Sequence, residues 1–166
     1  MKIQKWTYIA LFIALAGCDQ KKESVPSLAP VPAAPRAMQT IPLLAWNADA
    51  EGVVVTSSNE VVSVEGNDTR FGYQISTPPQ AIQPNIEATV QMKMHVDSGR
   101  VCVGVLDETR QSWILSPSDG AAEMHFNSGV NKLVHVVLAN CNEAESGNPK
   151  SRFSIEKATL SFGQKS

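Results

Sequence analysis

The sequence predicts an all-β protein, an antiparallel β-sandwich of jelly-roll-like topology, and three observations carry that prediction. From Ile86 to Asp97 the chain alternates strictly, with Ile86, Ala88, Val90, Met92, Met94 and Val96 apolar and Glu87, Thr89, Gln91, Lys93, His95 and Asp97 polar. A period of two marks a strand with one buried and one wet face, the habit of antiparallel sheet. From Trp46 onward, short β-rich runs alternate with turn residues at the spacing of a sandwich, and no helical period is sustained. Behind a proline-rich stretch, about 120 residues remain, enough for one domain with its own core.

In chain order, strands are expected over 53–56, 60–64, 70–76, 86–97, 101–106, 112–115, 121–126, 130–139 and 152–162. Asp97-Ser98-Gly99 reads as a tight turn that closes 86–97 and 101–106 into a hairpin. In the last run the apolar set shifts from odd positions, Phe153 and Ile155, to even ones, Ala158, Leu160 and Phe162. Such a phase change predicts a β-bulge near Glu156-Lys157.

The first eighteen residues carry an address. Lys2 and Lys5 precede an apolar run from Trp6 to Ala16, the layout of a secretory leader. That run is shorter than the roughly 20 residues a membrane-spanning helix needs. Leu15-Ala16-Gly17-Cys18 resembles the lipobox of bacterial lipoproteins. The resemblance implies a covalent lipid on Cys18, removal of the leader before it, and membrane attachment through the acyl chains. Asp19 and Gln20, next to the lipidated position, resemble the signal that holds enteric lipoproteins in the inner membrane facing the periplasm. Pro26, Pro30, Pro32, Pro35 and Pro42 favour extended polyproline II, so the chain divides into a signal peptide (1–17), a lipidated Cys with a Pro-rich linker (18–44) and a β-sandwich domain (45–166). Without Lys2 and Lys5, 12 basic face 16 acidic side chains, and no polybasic run offers a surface for nucleic acid.

With Cys18 acylated, Cys102 and Cys141 remain in an oxidising compartment, where a disulfide is one expectation. The other is a free buried thiol, since Cys102 lies in the apolar run Val101-Cys102-Val103 and a thiol there acts as a small hydrophobe. Neither has a Cys-x-x-Cys partner, which argues against redox catalysis and zinc.

A second resemblance follows from Gly99-Arg100-Val101, Val103-Gly104-Val105-Leu106, Trp113, Phe126-Asn127-Ser128-Gly129, Val136-Val137-Leu138-Ala139-Asn140 and Ser151-Arg152-Phe153. This series is similar to the C-terminal strands of galactose-binding-like jelly rolls, a family that includes many carbohydrate-binding modules. The resemblance implies glycan as the ligand, with a structural calcium drawing on loop carboxylates such as Asp107, Asp119 and Glu143. Sugar recognition needs flat aromatic faces and polar groups for hydroxyls. Trp113, Trp46 and Tyr73 are the aromatic candidates, and Asn140, Arg152, Asp107 and Glu108 the polar ones. For Trp113 and Tyr73 the expected place is nonetheless the core, where buried rings dominate, and Trp46 at the linker junction is expected to cover one end of the barrel. His95, His125 and His135 stand alone in separate strands without ligand spacing, so no metal site and no cofactor is expected. No Gly-x-Ser-x-Gly elbow, His-Glu-x-x-His or phosphate loop occurs. The expected function is a membrane-anchored, non-catalytic binding module for carbohydrate. A protein-interaction or assembly subunit of an envelope complex is the alternative, and an enzyme with an unrecognised site the third.

Overall fold

In the computed structural model, residues 37–120, 122–142 and 150–163 are described. Cys18, the leader, the linker as far as residue 36, and Glu143 lie outside them. Among the described residues twelve strands follow in chain order: β1 (Ala37–Thr40), β2 (Asn47–Ala48), β3 (Val54–Ser57), β4 (Val62–Glu65), β5 (Tyr73–Ser76), β6 (Gln80–Ala81), β7 (Glu87–Ser98), β8 (Val101–Asp107), β9 (Trp113–Asp119), β10 (Glu123–Asn127), β11 (Leu133–Asn140) and β12 (Arg152–Gly163). All paired strands are antiparallel. Sheet I has the order β10-β7-β12-β4-β3, with β1 also on β12; sheet II has the order β2-β5-β11-β8-β9, with β6 also on β11. The two stack as a jelly-roll-like sandwich.

The alternation read in 86–97 sets the inner face of sheet I. Ala88, Val90 and Met92 are buried and meet Phe153, Ile155, Ala158 and Leu160 of β12 in one core with Val101, Val103, Val105, Val134, Val136 and Leu138 of sheet II. The register of β12 on β7 shifts between Ile155 and Lys157, where the change of apolar phase places a bulge. On the outer face of sheet I, polar side chains pair across strands: Asn127 Nδ2 donates to Glu87 (3.1 Å), Gln91 Nε2 donates to Glu123 (2.9 Å), Thr89 and His125 share a 2.9 Å hydrogen bond, and Lys93 meets Glu156. Directly opposed pairs of this kind help hold antiparallel register.

Four expectations need correction. The sandwich begins at Ala37 rather than 45, because β1 pairs with β12 and Ile41 is fully buried. Proline density hid this strand, although no proline falls within it, and Pro42 after it stands at the N-cap of a short 3-10 turn over Leu43–Ala45. The turn after β7 is an arch rather than a hairpin, since β7 belongs to sheet I and β8 to sheet II. Gly99 makes the crossing at φ +75°, and a Cβ there would strike the Asn142 amide at 2.7 Å. β9 runs on through Pro117, which an edge strand tolerates. β11 starts at Leu133, because Gly129 and Val130 complete a turn that leaves Val130 exposed.

Cys102 and Cys141 form a disulfide with Cα atoms 5.7 Å apart, closing the alternative left open by the sequence. It ties β8 to the segment that leaves β11. Beside it, Asn140, Asn142 and Ser151 make a buried amide network: Asn142 N donates to Asn140 Oδ1 (3.0 Å), and the Ser151 hydroxyl donates to the Arg100 carbonyl (2.8 Å).

Candidate functional site

The outer face of sheet II differs from that of sheet I. Because Val101, Val103 and Val105 point inward, Cys102, Gly104 and Leu106 point outward, as do Val137 and Ala139 of β11. Leu106, Val137, Ala139 and Cys102 are nonetheless buried, and they stand outside the core cluster. Something covers them.

The cover is built from three separated stretches. Trp113, opposite Leu106 at the start of β9, leans across Gly104, where a Cβ would meet its Cζ3 at 2.7 Å. Tyr73 of β5, opposite Ala139, reaches it edge-to-face, with ring centroids 5.3 Å apart and planes at 83°. Both rings are half-buried. Beside them Arg110 Nη2 lies 2.8 Å from Asp49 Oδ1, and the Ser76 hydroxyl donates to that same oxygen at 2.9 Å. The Asp49 side chain is only 8% exposed, against 37% for Arg110. Its second oxygen, Oδ2, is buried with no hydrogen-bond partner among the described residues.

The turn between β8 and β9 places Arg110 and Trp113 together. Asp107 knits it: the Thr109 hydroxyl donates to its carboxylate at 2.9 Å, and the N–H groups of Gln111 and Ser112 donate at 3.0 and 3.3 Å. Desolvation is the largest single influence on this carboxyl and acts upward, yet the Thr109 hydroxyl and the backbone N–H groups of Ser112, Gln111 and Thr109 together hold it below the usual carboxylate range. Arg110 closes the turn at φ +61°, a left-handed backbone that is uncommon outside glycine.

The structure thus brings Trp113 and Tyr73 together on one surface rather than in the core. Trp46 is not on it. At 4% exposure it lies between the sheets, its Nε1 without a partner among the described residues. Asn140 is wholly buried, donating from Nδ2 to the Asn67 carbonyl at 3.0 Å, so it serves the amide network. Arg152 lies on the outer face of sheet I, 3.7 Å from Glu65. Asp107 is engaged by its own turn, and Asp119 accepts from Arg100 Nη2 at 2.6 Å. Among the described residues no group of three His, Cys, Asp or Glu side chains could hold a metal. His95 and His125 lie on sheet I, whereas His135 lies on sheet II with Nδ1 3.0 Å from the Thr77 carbonyl.

Asp49, Arg110 and Ser76 escaped the sequence reading. The ion pair joins positions far apart in sequence, and no motif links them. Chemically, the corner of two rings offers π faces that attract the weakly positive C–H groups of a ligand, with guanidinium donors alongside that a buried carboxylate holds in place. Three clefts elsewhere, of about 260, 310 and 450 Å³, have no aromatic side chain in their walls.

No protein-family model matches the chain, and no curated protein matches it. Solved structures similar to it include a mutant of a carbohydrate binding module of family 29, at TM-score 0.46 and 12% identity, covering 78% of this chain and 94% of that one. A second carbohydrate binding module of family 29 gives TM-score 0.45 and 12% identity over 79% of this chain and 92% of the other. Accessory secretory protein 1, 2 and 3 in Streptococcus pneumoniae gives TM-score 0.32 and 9% identity, covering 74% and 94%.

Proposed function

We propose that this chain is a non-catalytic binding module for carbohydrate, held at a membrane surface through lipid on Cys18. The observation that carries the ligand class is the Tyr73–Trp113 corner beside the Asp49–Arg110 pair. A pyranose ring stacks its C–H face on one ring and abuts the other, while its hydroxyls accept from Arg110, which the buried Asp49 holds in place. The groups that converge grip a ligand and supply no bond-making step. Because Arg110 is matched by Asp49, the site favours hydroxyl-rich over strongly charged ligands. The anchor rests on Leu15-Ala16-Gly17-Cys18 after the apolar leader. Two or more acyl chains hold a protein stably, and confinement raises its effective concentration at envelope glycans.

Affinity electrophoresis of the detergent-solubilised full-length chain through gels containing neutral or acidic polysaccharides tests the ligand class. We expect retardation in at least one gel, lost in Trp113→Ala while far-UV circular dichroism stays unchanged. Free migration in every gel would refute the carbohydrate reading and turn the search to a protein partner. For the anchor, Cys18→Ser should abolish palmitate labelling in cells; persistent labelling would refute it.

A further inference from the structure

We infer that Phe71, flanked by Arg70, is an outlying subsite that takes a further ring of the same glycan chain; this rests on the carbohydrate reading of the Tyr73–Trp113 corner. Phe71 has φ +56°, a left-handed conformation that costs a bulky L-residue and that glycine or asparagine adopts far more easily. The fold nevertheless fixes it there. Phe71 N donates to the Asn140 carbonyl at 2.7 Å, Asn140 N donates to the Gly72 carbonyl at 3.1 Å, and Gly72 N donates to the Thr69 carbonyl at 3.0 Å. A Cβ on Gly72 would meet the Thr69 side chain at 2.8 Å, so the turn has no slack.

What this held backbone presents is a ring 59% exposed to solvent. No core packing explains a phenylalanine at that position, and an observed strain of this kind points to use of the side chain. The Arg70 guanidinium sits over the ring, 4.7 Å from its centroid, so it covers one face and brings N–H donors next to the ring. Position completes the case. Tyr73 pairs with Ala139 on β11, and Phe71 bonds to Asn140, the next residue along that strand. Two residues of chain span at most about 7 Å. A glycan seated on Tyr73 and Trp113 that runs on past the end of β5 therefore meets Phe71, with Arg70 donating to its ring or hydroxyl oxygens.

The test uses the polysaccharide that retards the wild-type full-length chain, cut by partial hydrolysis and resolved into its disaccharide and hexasaccharide, with each titrated calorimetrically. Phe71→Ala should weaken hexasaccharide binding about tenfold, equivalent to about 1.4 kcal/mol, and leave the disaccharide unchanged. Phe71→Tyr should restore the hexasaccharide, and Phe71→Gly should bind like Phe71→Ala while melting at or above the wild-type temperature. Equal hexasaccharide affinity for wild type and Phe71→Ala, with Trp113→Ala still inactive, would overturn this subsite and leave the main site standing. Equal loss for both lengths, or a lower melting temperature for Phe71→Gly, would overturn it by making Phe71 a support of the fold. A wild type that binds the hexasaccharide no more tightly than the disaccharide would likewise overturn the subsite, and free migration of the wild type in every gel would overturn both.

Discussion

Gly104→Ala tests whether Trp113 belongs to an organised surface layer. The added methyl would sit 2.7 Å from Trp113 Cζ3, 2.9 Å from the Leu115 carbonyl oxygen and 3.1 Å from Pro117 N. The indole can swing away, but the two backbone atoms belong to a strand paired with β8 and cannot yield without disturbing it. Overpacking of this sort costs about 1–3 kcal/mol. Replacing glycine within a strand returns about 0.5–1 kcal/mol of chain entropy. The difference spans about 0–2.5 kcal/mol, and because two of the three atoms met are backbone the cost lies in its upper part, about 1–2 kcal/mol, a fall in melting temperature of roughly 3–8 °C for a domain of this size. Near-UV circular dichroism should also change, because Trp113 loses its edge contact with Tyr73, and the polysaccharide that retards the wild type should no longer do so. A variant that melts at or above the wild-type temperature with an unchanged near-UV spectrum would refute the placement of Trp113 over Gly104.

Ile41→Ala removes a fully buried side chain next to β1 and should cost about 2–5 kcal/mol in denaturant unfolding; a cost under about 0.5 kcal/mol would show that β1 does not close the sandwich. Cys141→Ser opens a disulfide between residues 39 apart, which the chain-entropy model rates at about 4 kcal/mol, read as a lower unfolding midpoint that reducing agent does not lower further. Asp107 titrates below its unfolded value, so its contribution to stability is present above that value and is lost as pH falls through the folded pKa. Asp107→Asn should therefore flatten the acid limb of the stability profile below about pH 4, and an acid limb that parallels the wild type would argue against the turn described around Thr109, Gln111 and Ser112.

Much of the fold was legible where one side of a strand is wet. Strict alternation from Ile86 to Asp97 located β7 and its face, and the shift from Ile155 to Ala158 located the bulge to within a residue. Legibility failed where both sides are covered. Ser112-Trp113-Ile114-Leu115 has no alternation to say which way the indole points, and Tyr73 shared a parity with Ile75 that the irregular register between Leu138 and Ala139 breaks. The arch at Gly99 looked like a hairpin because a tight turn between two apolar runs carries no mark of which sheet each run joins. Asp49 and Arg110 were unreadable for a further reason: their pairing is made by tertiary placement of the turn between β8 and β9, and neither residue is unusual in its own neighbourhood.

The contrast between the two outer faces bears on function. A sandwich that needed only solubility would finish both sheets alike, and sheet I shows what that finish is: Thr89, Gln91 and Lys93 meet His125, Glu123 and Glu156 across strands, and His95 stands in water beside Asp97 of its own strand. Sheet II instead carries Leu106, Val137 and Ala139 outward, which commits the chain to a cover. Burying apolar floor is worth about 25 cal/mol per Å², and aliphatic side chains could have supplied the cover without leaving a charge beneath it. The cover present includes two half-exposed rings and a nine-tenths buried carboxylate whose second oxygen has no partner among the described residues. Leaving a buried acceptor unmet costs about 1–3 kcal/mol, and a face selected for stability alone would fill it. That oxygen lies beneath the cover, out of a ligand's reach, so the carboxylate acts by fixing the Arg110 guanidinium beside the two rings, and Asp49→Asn should weaken glycan retention in affinity electrophoresis more than it lowers the melting temperature.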